Sequence, residues 1–364
     1  MKMTEKSKKK NAPGIRLLKK AQYSEDDYLY GSARLRALER NIIGSELCAR
    51  LCEAEGEEFT RQICELLGIS GEDELEEALK SRLEEAYALT ASLLPERNRR
   101  ILDIYRCPYD CHNLKYILKC EVRGRDPSPG LSACGTVHPD IVTETLHRDG
   151  IEALGELYPA NMGEAIYEAR ERMAQTRDPQ TVDFILDAAC FADMKEAADE
   201  TGVPFISKAA ARRTDQANLM TALRISRMTG DPRYRAETFT KAFLPGGKAT
   251  AAPDGLLAVL TSDDIDTGGK ADGELARAAG LAGAALTDFT EAAAVSPGAA
   301  ERVLEDRLSA EFSSTRYKLA GAEVYAAYLN EVETSVKNLR IIAAGKHARS
   351  DPRQIRERLR ACMI

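Results

Sequence analysis

Apolar residues in this chain recur at helical rather than alternating spacing. Leu75, Leu79, Leu83 and the pair Leu93–Leu94 lie between Ser70 and Pro95, which predicts one long helix. Helix starts repeat one form, a capping side chain followed by proline at the first helical position: Asp178-Pro179, Asp231-Pro232, Ser296-Pro297 and Asp351-Pro352. Ser24 with Asp27, and Ser70 with Asp73, have capping-box spacing. Gly68, Gly150, Gly202, Gly230 and Gly345 read as helix stops. The pattern predicts helix after helix joined by short loops.

Composition narrows this to an all-α chain. Alanine occurs 53 times and valine 11 times, and alanine favours helices where β-branched residues favour sheets. With 44% hydrophobic and 30% charged residues, collagen-like and wholly disordered classes are excluded. A length of 364 residues exceeds what one core needs, so two or three units are expected. No apolar run approaches a membrane span. The basic stretch Met1–Lys10 has no apolar segment behind it and does not read as a secretory signal. Nine cysteines, an odd number, suit reduced thiols in a cytoplasmic compartment. Between residues 246 and 300 glycine and alanine dominate, predicting short, loosely packed helices and the most mobile part of the fold.

Internal repetition is more informative. The segment Asp110-Cys-His-Asn113-Leu114-Lys115, running to Lys119, resembles Asp215-Gln-Ala-Asn218-Leu219-Met220, running to Arg224. A third copy is Ser335-Val-Lys-Asn338-Leu339-Arg340. The asparagines stand 105 and then 120 positions apart, so three such lengths cover nearly the whole chain. A glycine-bearing loop follows the first two copies, Pro129-Gly130 to Gly135 and Pro245-Gly246-Gly247. Asparagine is not chosen for helix propensity, so its recurrence points to a side chain dedicated to one contact. The expected units are 23–130, whose first helix can cross to another unit, then 131–245 and 246–364, preceded by an arm at 1–22.

Charge is uneven. Lys2, Lys6, Lys8, Lys9, Lys10, Arg16, Lys19 and Lys20 against Glu5 give residues 1–20 a charge of +7, and the chain total of −7 leaves −14 for the rest. The arm is expected to be a solvated, disordered tail, and the acidic body argues against a chain-wide nucleic-acid surface. Candidate metal ligands are Cys107, Cys111, His112 and Cys120, with Cys48 and Cys52 as a second pair on one helix face. Their spacing is not that of a zinc knuckle, and burial as small apolar side chains is the expected role. Gly247-Lys248 and Gly269-Lys270 lack the rest of a phosphate loop, and no GxGxxG, HExxH or GxSxG occurs. No catalytic centre emerges.

Four passages carry a family resemblance. They are Tyr28-x-Tyr30-x-x-Ala33-Arg34-Leu35-Arg36-Ala37-Leu38-Glu39, Asp110-x-x-Asn113-Leu114-Lys115, Asp215-x-x-Asn218-Leu219 to Arg224, and Tyr325 to Leu359. Together they resemble the C subunit of V-type (archaeal-type) ATP synthases and ATPases, the homologue of the d subunit of eukaryotic vacuolar ATPases. Met220 and Ser335 depart from the pattern, as do the basic arm and much of 246–300. The resemblance implies a funnel of three pseudo-symmetric helical units on the cytoplasmic face of the membrane. Its partners would be the proteolipid ring and the D- and F-type shaft subunits, and it would couple their rotation without catalysis or a cofactor. Arg34, Arg36, Asn113, Lys115, Asn218, Arg224, Asn338 and Arg340 are expected to order the units or line their polar surface, or else to stabilise helix contacts within a unit. Two other readings stay open here: a helical-repeat adaptor whose arm binds RNA or lipid, and a zinc enzyme built on Cys107, Cys111 and His112.

Overall fold

The structure, a computed structural model, describes residues 26–228, 231–262 and 270–362, and is all-α, with no strand among the described residues. Residues 26–228 run through α1 (Asp26–Glu39), α2 (Ser45–Glu53), α3 (Gly56–Leu67), α4 (Leu75–Ser92) and α5 (Asp103–Arg123). They continue through α6 (Pro139–Asp149), α7 (Ala160–Thr176), α8 (Pro179–Thr201) and α9 (Pro204–Ser226). Five helices follow: α10 (Pro232–Ala242), α11 (Asp254–Leu260), α12 (Lys270–Ala278), α13 (Ala284–Val295) and α14 (Pro297–Ser313). The 26-residue α15 (Ala322–His347) and the short α16 (Pro352–Arg356) complete it.

All four predicted proline starts form. Asp178, Asp231, Ser296 and Asp351 each accept a backbone N–H of the first turn, the donors being Gln180, Tyr234, Ala299 and Arg353. The Ser70 box does not form. Instead Glu74 accepts the Ser70 N–H at 3.0 Å, a 3-10 turn intervenes, and the helix starts at Leu75. Ser24 and Gly230 lie outside the described residues. Gly68, Gly150 and Gly202 end helices at positive φ, but Gly345 lies inside α15. That helix stops at Arg349 (φ 53), where the Ser350 N–H closes on the Gly345 carbonyl at 2.9 Å. What position 345 requires is closeness: a Cβ there would lie 2.6 Å from Cγ1 of Ile355 on α16.

The three repeat copies lie on α5, α9 and α15, and the long helices form a closed circuit. Helix α5 packs on α8, which precedes α9; α9 packs on α14, which precedes α15; and α15 packs on α4, which precedes α5. The N-terminal α1 crosses the chain to lie along α15, with Tyr28 edge-on to Tyr325 at 5.8 Å. The main core joins α1–α8 to α15, and a second gathers the later part of α9 with α10–α14. Helices α11–α13 of the Gly/Ala-rich stretch are short, yet Leu256, Leu260, Leu275 and Phe289 are fully buried. Gly268 and Gly269 lie outside the described residues.

Two glycines separate packing from propensity. Gly345→Val should lower stability by about 1–3 kcal/mol through the clash with Ile355. Gly273→Ala in α12, whose added Cβ meets nothing closer than 3.7 Å, should be neutral or gain up to ~1 kcal/mol. Thermal unfolding of both variants checks this, and equal effects would refute it.

Candidate functional site

Each repeat asparagine closes a two-bond clamp on the backbone of one later residue. Asn113 donates from Nδ2 to the Ser132 carbonyl at 2.9 Å, and its Oδ1 accepts the Ser132 N–H at 2.8 Å. Asn218 does the same to Leu244, both at 2.9 Å. Asn338 does it to Arg360, at 3.0 and 2.8 Å. The clamped residues lie 19, 26 and 22 positions downstream, and all three asparagines are essentially fully buried. An amide buried without partners costs free energy; here donor and acceptor are both met by the backbone of one residue.

The first two copies add a carboxylate cradle. Asp110 accepts the Thr136 N–H at 2.8 Å and its hydroxyl at 2.6 Å. Asp215 accepts the Thr250 N–H and hydroxyl, both at 2.8 Å, and the Ala249 N–H at 3.1 Å. The loop must come close, and a Cβ on Gly135 or Gly247 would sit 2.2 or 2.4 Å from the Asp110 or Asp215 oxygen. These are the glycines that mark the two post-motif loops in the sequence. In the third copy Ser335 is buried, and its hydroxyl has no hydrogen-bond partner among the described residues. Burial pushes the Asp110 carboxyl up to about 6, against the opposing pull of its Thr136 bonds.

The repeat cations face outward onto neighbouring helices. Lys115 pairs with Asp187 of α8 at 2.6 Å, Arg224 with Glu301 of α14 at 3.0 Å, and Arg340 with Glu76 of α4, Nε to Oε2, at 3.1 Å. These are the three packed pairs of the helix circuit. Lys119 reinforces the first through Asp183 at 2.6 Å. Where the second copy has Met220 in place of a base, the bridge moves four residues on to Arg224. On α1, Arg36 pairs with Glu39 at 2.6 Å and donates to the carbonyls of Thr315 and Lys318, whereas Arg34 is exposed.

The motif helices also meet at a hub that the motif itself does not announce. Arg213 of α9 stacks its guanidinium 4.1 Å from the Tyr105 ring centre and donates to the Ile104 carbonyl of α5 at 3.0 Å. It stands 3.8 Å from Glu333 of α15, which also accepts from Tyr87 of α4 and, at 3.4 Å, from Tyr109. The Tyr105 hydroxyl reaches the Ala326 carbonyl of α15 at 2.8 Å. Burial raises the Glu333 carboxyl above its ordinary range. A signal existed in the sequence: five residues before each repeat asparagine stand Pro108, Arg213 and Glu333. A cleft of about 420 Å³ opens beside the hub, lined among others by Arg213, Arg224, Leu304, Glu333 and Lys337.

The cysteines behave as core side chains. Cys107, Cys111, Cys120, Cys48 and Cys52 are buried, and no metal-binding group of three occurs among the described residues. Burial pushes the Cys48 thiol up to about 12, and the Cys111 Sγ lies 3.4 Å from the Leu186 carbonyl. His112 stacks on Tyr116, and burial lowers its affinity for a proton. Among the described residues no helix is long and apolar enough to cross a membrane.

Removing one clamp should be costly, because both polar groups of the clamped residue lose their partner. Asn218→Ala is expected to lose about 2–4 kcal/mol in urea unfolding; a loss well under 1 kcal/mol would refute the clamp as a stabilising contact. Asp110 titrates in the opposite sense to a salt-bridged carboxylate. Its folded pKa lies above the unfolded value, so the wild-type chain gains stability as pH falls from about 6 towards 4. Relative to Asp110→Asn, wild type should gain about 1–1.5 kcal/mol between pH 7 and pH 5. A difference independent of pH would refute the shift.

With this geometry in place, comparison with known proteins places the chain. It is similar to the C subunit of the V-type sodium ATPase of Enterococcus hirae, at 22% identity over 267 residues covering 71% of this chain and 74% of that protein. Residues 32–358 match the ATP synthase (C/AC39) subunit family, and the chain is a member of that family of V-type ATPase C subunits.

Proposed function

We propose that this chain is a non-catalytic coupler in a rotary V-type ATPase or ATP synthase. It seats on the proteolipid ring at the cytoplasmic face and receives the foot of the D- and F-type shaft. The three clamp helices and their partners form three units about a pseudo-threefold axis, with a funnel mouth towards the shaft. The observation that carries this is the closed circuit of α5 on α8, α9 on α14 and α15 on α4, each seam bridged by a cation of the repeat. A part that transmits torque must resist shear, and a circuit that returns to its start has no free end at which to splay. Buried clamps hold each post-motif loop to its helix, and the seam bridges set register more than they add stability. Lys115, Arg224 and Arg340 are therefore read as contacts between units, Asn218 and Asn338 as contacts within them, and Asn113 as the tie that holds Ser132 across the boundary at 130/131. Arg36 ties α1 to the start of α15, and Arg34 is left to face a partner.

Depletion of this chain from the native complex tests the reading. ATP hydrolysis by the detached head should persist while ATP-driven ion uptake into membrane vesicles is lost, and cross-linking in native membranes should capture both ring and shaft subunits. Unimpaired ion uptake without the chain, or capture of neither partner, would refute it.

A further inference from the structure

A cleft of about 540 Å³ lies between α9, α14 and the two loops that lead into α11 and α13. Much of its lining is apolar, made by Leu219, Ala249, Ala279, Leu281, Ala282 and Ala285. Its charged lining is Arg212, Asp215, Lys248 and Arg307. The fold sets its shape in advance. Asp215 accepts the backbone N–H groups of Lys248, Ala249 and Thr250 at 3.3, 3.1 and 2.8 Å, which fixes the loop that carries Lys248. Gly280 (φ 80) turns out of α12 against that loop, where an added Cβ would lie 2.8 Å from Cβ of Ala249. Gln216 of α9 donates to the Leu304 carbonyl of α14 at 2.8 Å and joins the two helices.

The carboxylates around this cleft are engaged, and two of its cations are not. Lys208 and Arg212 of α9, one turn apart, share Glu311 of α14. Glu311 is the acid one turn on from Arg307, so Arg307 loses its natural helical partner. Asp215 is occupied by the loop backbone and the Thr250 hydroxyl. Farther along α14, Glu301 holds Arg224, Glu305 holds Lys337 and Arg360, and Asp306 accepts the Ala361 N–H. Arg307 and the Lys248 ammonium make no hydrogen bond or ion pair among the described residues. Acids outnumber bases by 58 to 51 in this chain, yet the half-buried Arg307 has no carboxylate. It faces a like charge instead. Arg212 holds its proton less tightly than an ordinary arginine, first through burial and next through Arg307, with Asp215 opposing.

We propose that this cleft binds a small organic phosphate, its anionic oxygens between Arg212, Arg307 and Lys248 and its carbon part against the alanine-rich lining. A phosphate dianion relieves the repulsion between the two guanidiniums, whose planar forks match phosphate oxygens in pairs. Apolar walls exclude water and strengthen that attraction, and they give the uncharged part of the ligand a surface to cover. Because the backbone around the site is already fixed, little order has to be gained on binding.

Titration calorimetry of the full chain tests this with three probes: phenyl phosphate, inorganic phosphate and benzoate. It involves neither ring nor shaft, so its failure would leave the coupler reading untouched. Phenyl phosphate should bind saturably, roughly tenfold tighter than either of the other two, and should weaken with added salt. Arg307→Gln should weaken it roughly tenfold and Lys248→Gln several-fold. Arg233→Gln, on an exposed α10 cation that pairs with Glu237 outside the cleft, should leave it unchanged. Thermal unfolding supplies a second readout. Without a probe, Arg307→Gln should unfold at the wild-type temperature or slightly above it, and phenyl phosphate should raise the wild-type midpoint but not the variant's. The proposal is overturned by absence of saturable phenyl phosphate binding, or by full affinity in Arg307→Gln. It is also overturned if inorganic phosphate or benzoate binds as tightly as phenyl phosphate, or if Arg307→Gln is destabilised, which would make Arg307 a contact of the fold.

Discussion

A buried side-chain amide has four hydrogen-bonding valences to satisfy, and the long helices of this protein are organised around that constraint. Asn113, Asn218 and Asn338 meet two of them in one way, by pairing donor and acceptor with the backbone of a single residue arriving from 19 to 26 positions downstream. Asn218 adds a bond to the Thr250 hydroxyl and Asn338 one to Cys362 Sγ. Each clamp converts a loop into a fixed wall beside its helix. Gly135 and Gly247 follow from the same requirement, since the loop cannot approach Asp110 or Asp215 with a Cβ in the way.

A second constraint comes from bringing related helices to one place. In a strictly repeated chain the same side chain would stand at this position of α5, α9 and α15. Here the equivalent positions hold Pro108, Arg213 and Glu333, so a cation meets an anion and a ring-walled apolar surface. Tyr87, Tyr105 and Tyr109 line that meeting point and complete its hydrogen bonds. Sequence divergence between the copies thus has a physical use: it relieves the like-with-like contacts that exact repetition would impose.

What could be read in advance followed the range of the interaction concerned. Proline-led caps act over two or three residues, and all four formed. Ser70 caps no helix: Glu74 accepts its N–H, a 3-10 turn covers Glu72–Glu74, and the helix starts at Leu75. Gly345 resembled a stop and proved to be a packing position, a distinction that depends on Ile355 arriving from another helix. Recurrence alone marked the repeat asparagines for a specific contact, but not which residue each would hold. The cysteine group near position 110 had the residue types of a metal site, but the fold buries Cys107, Cys111 and Cys120 without bringing three such side chains together among the described residues.

By itself the sequence determined the helical class, the threefold recurrence of the asparagine motif and the separation of a basic segment from an acidic body. These rest on local propensity, spacing and counting, which need no neighbour in space. Tertiary structure alone decided that the helix circuit closes from α15 back to α4, that Arg213 and Glu333 share one hub, and that Arg212 and Arg307 line one cleft. Those outcomes pair residues tens to hundreds of positions apart. Such pairings are selected by the summed packing and desolvation of the whole chain, which no single segment encodes.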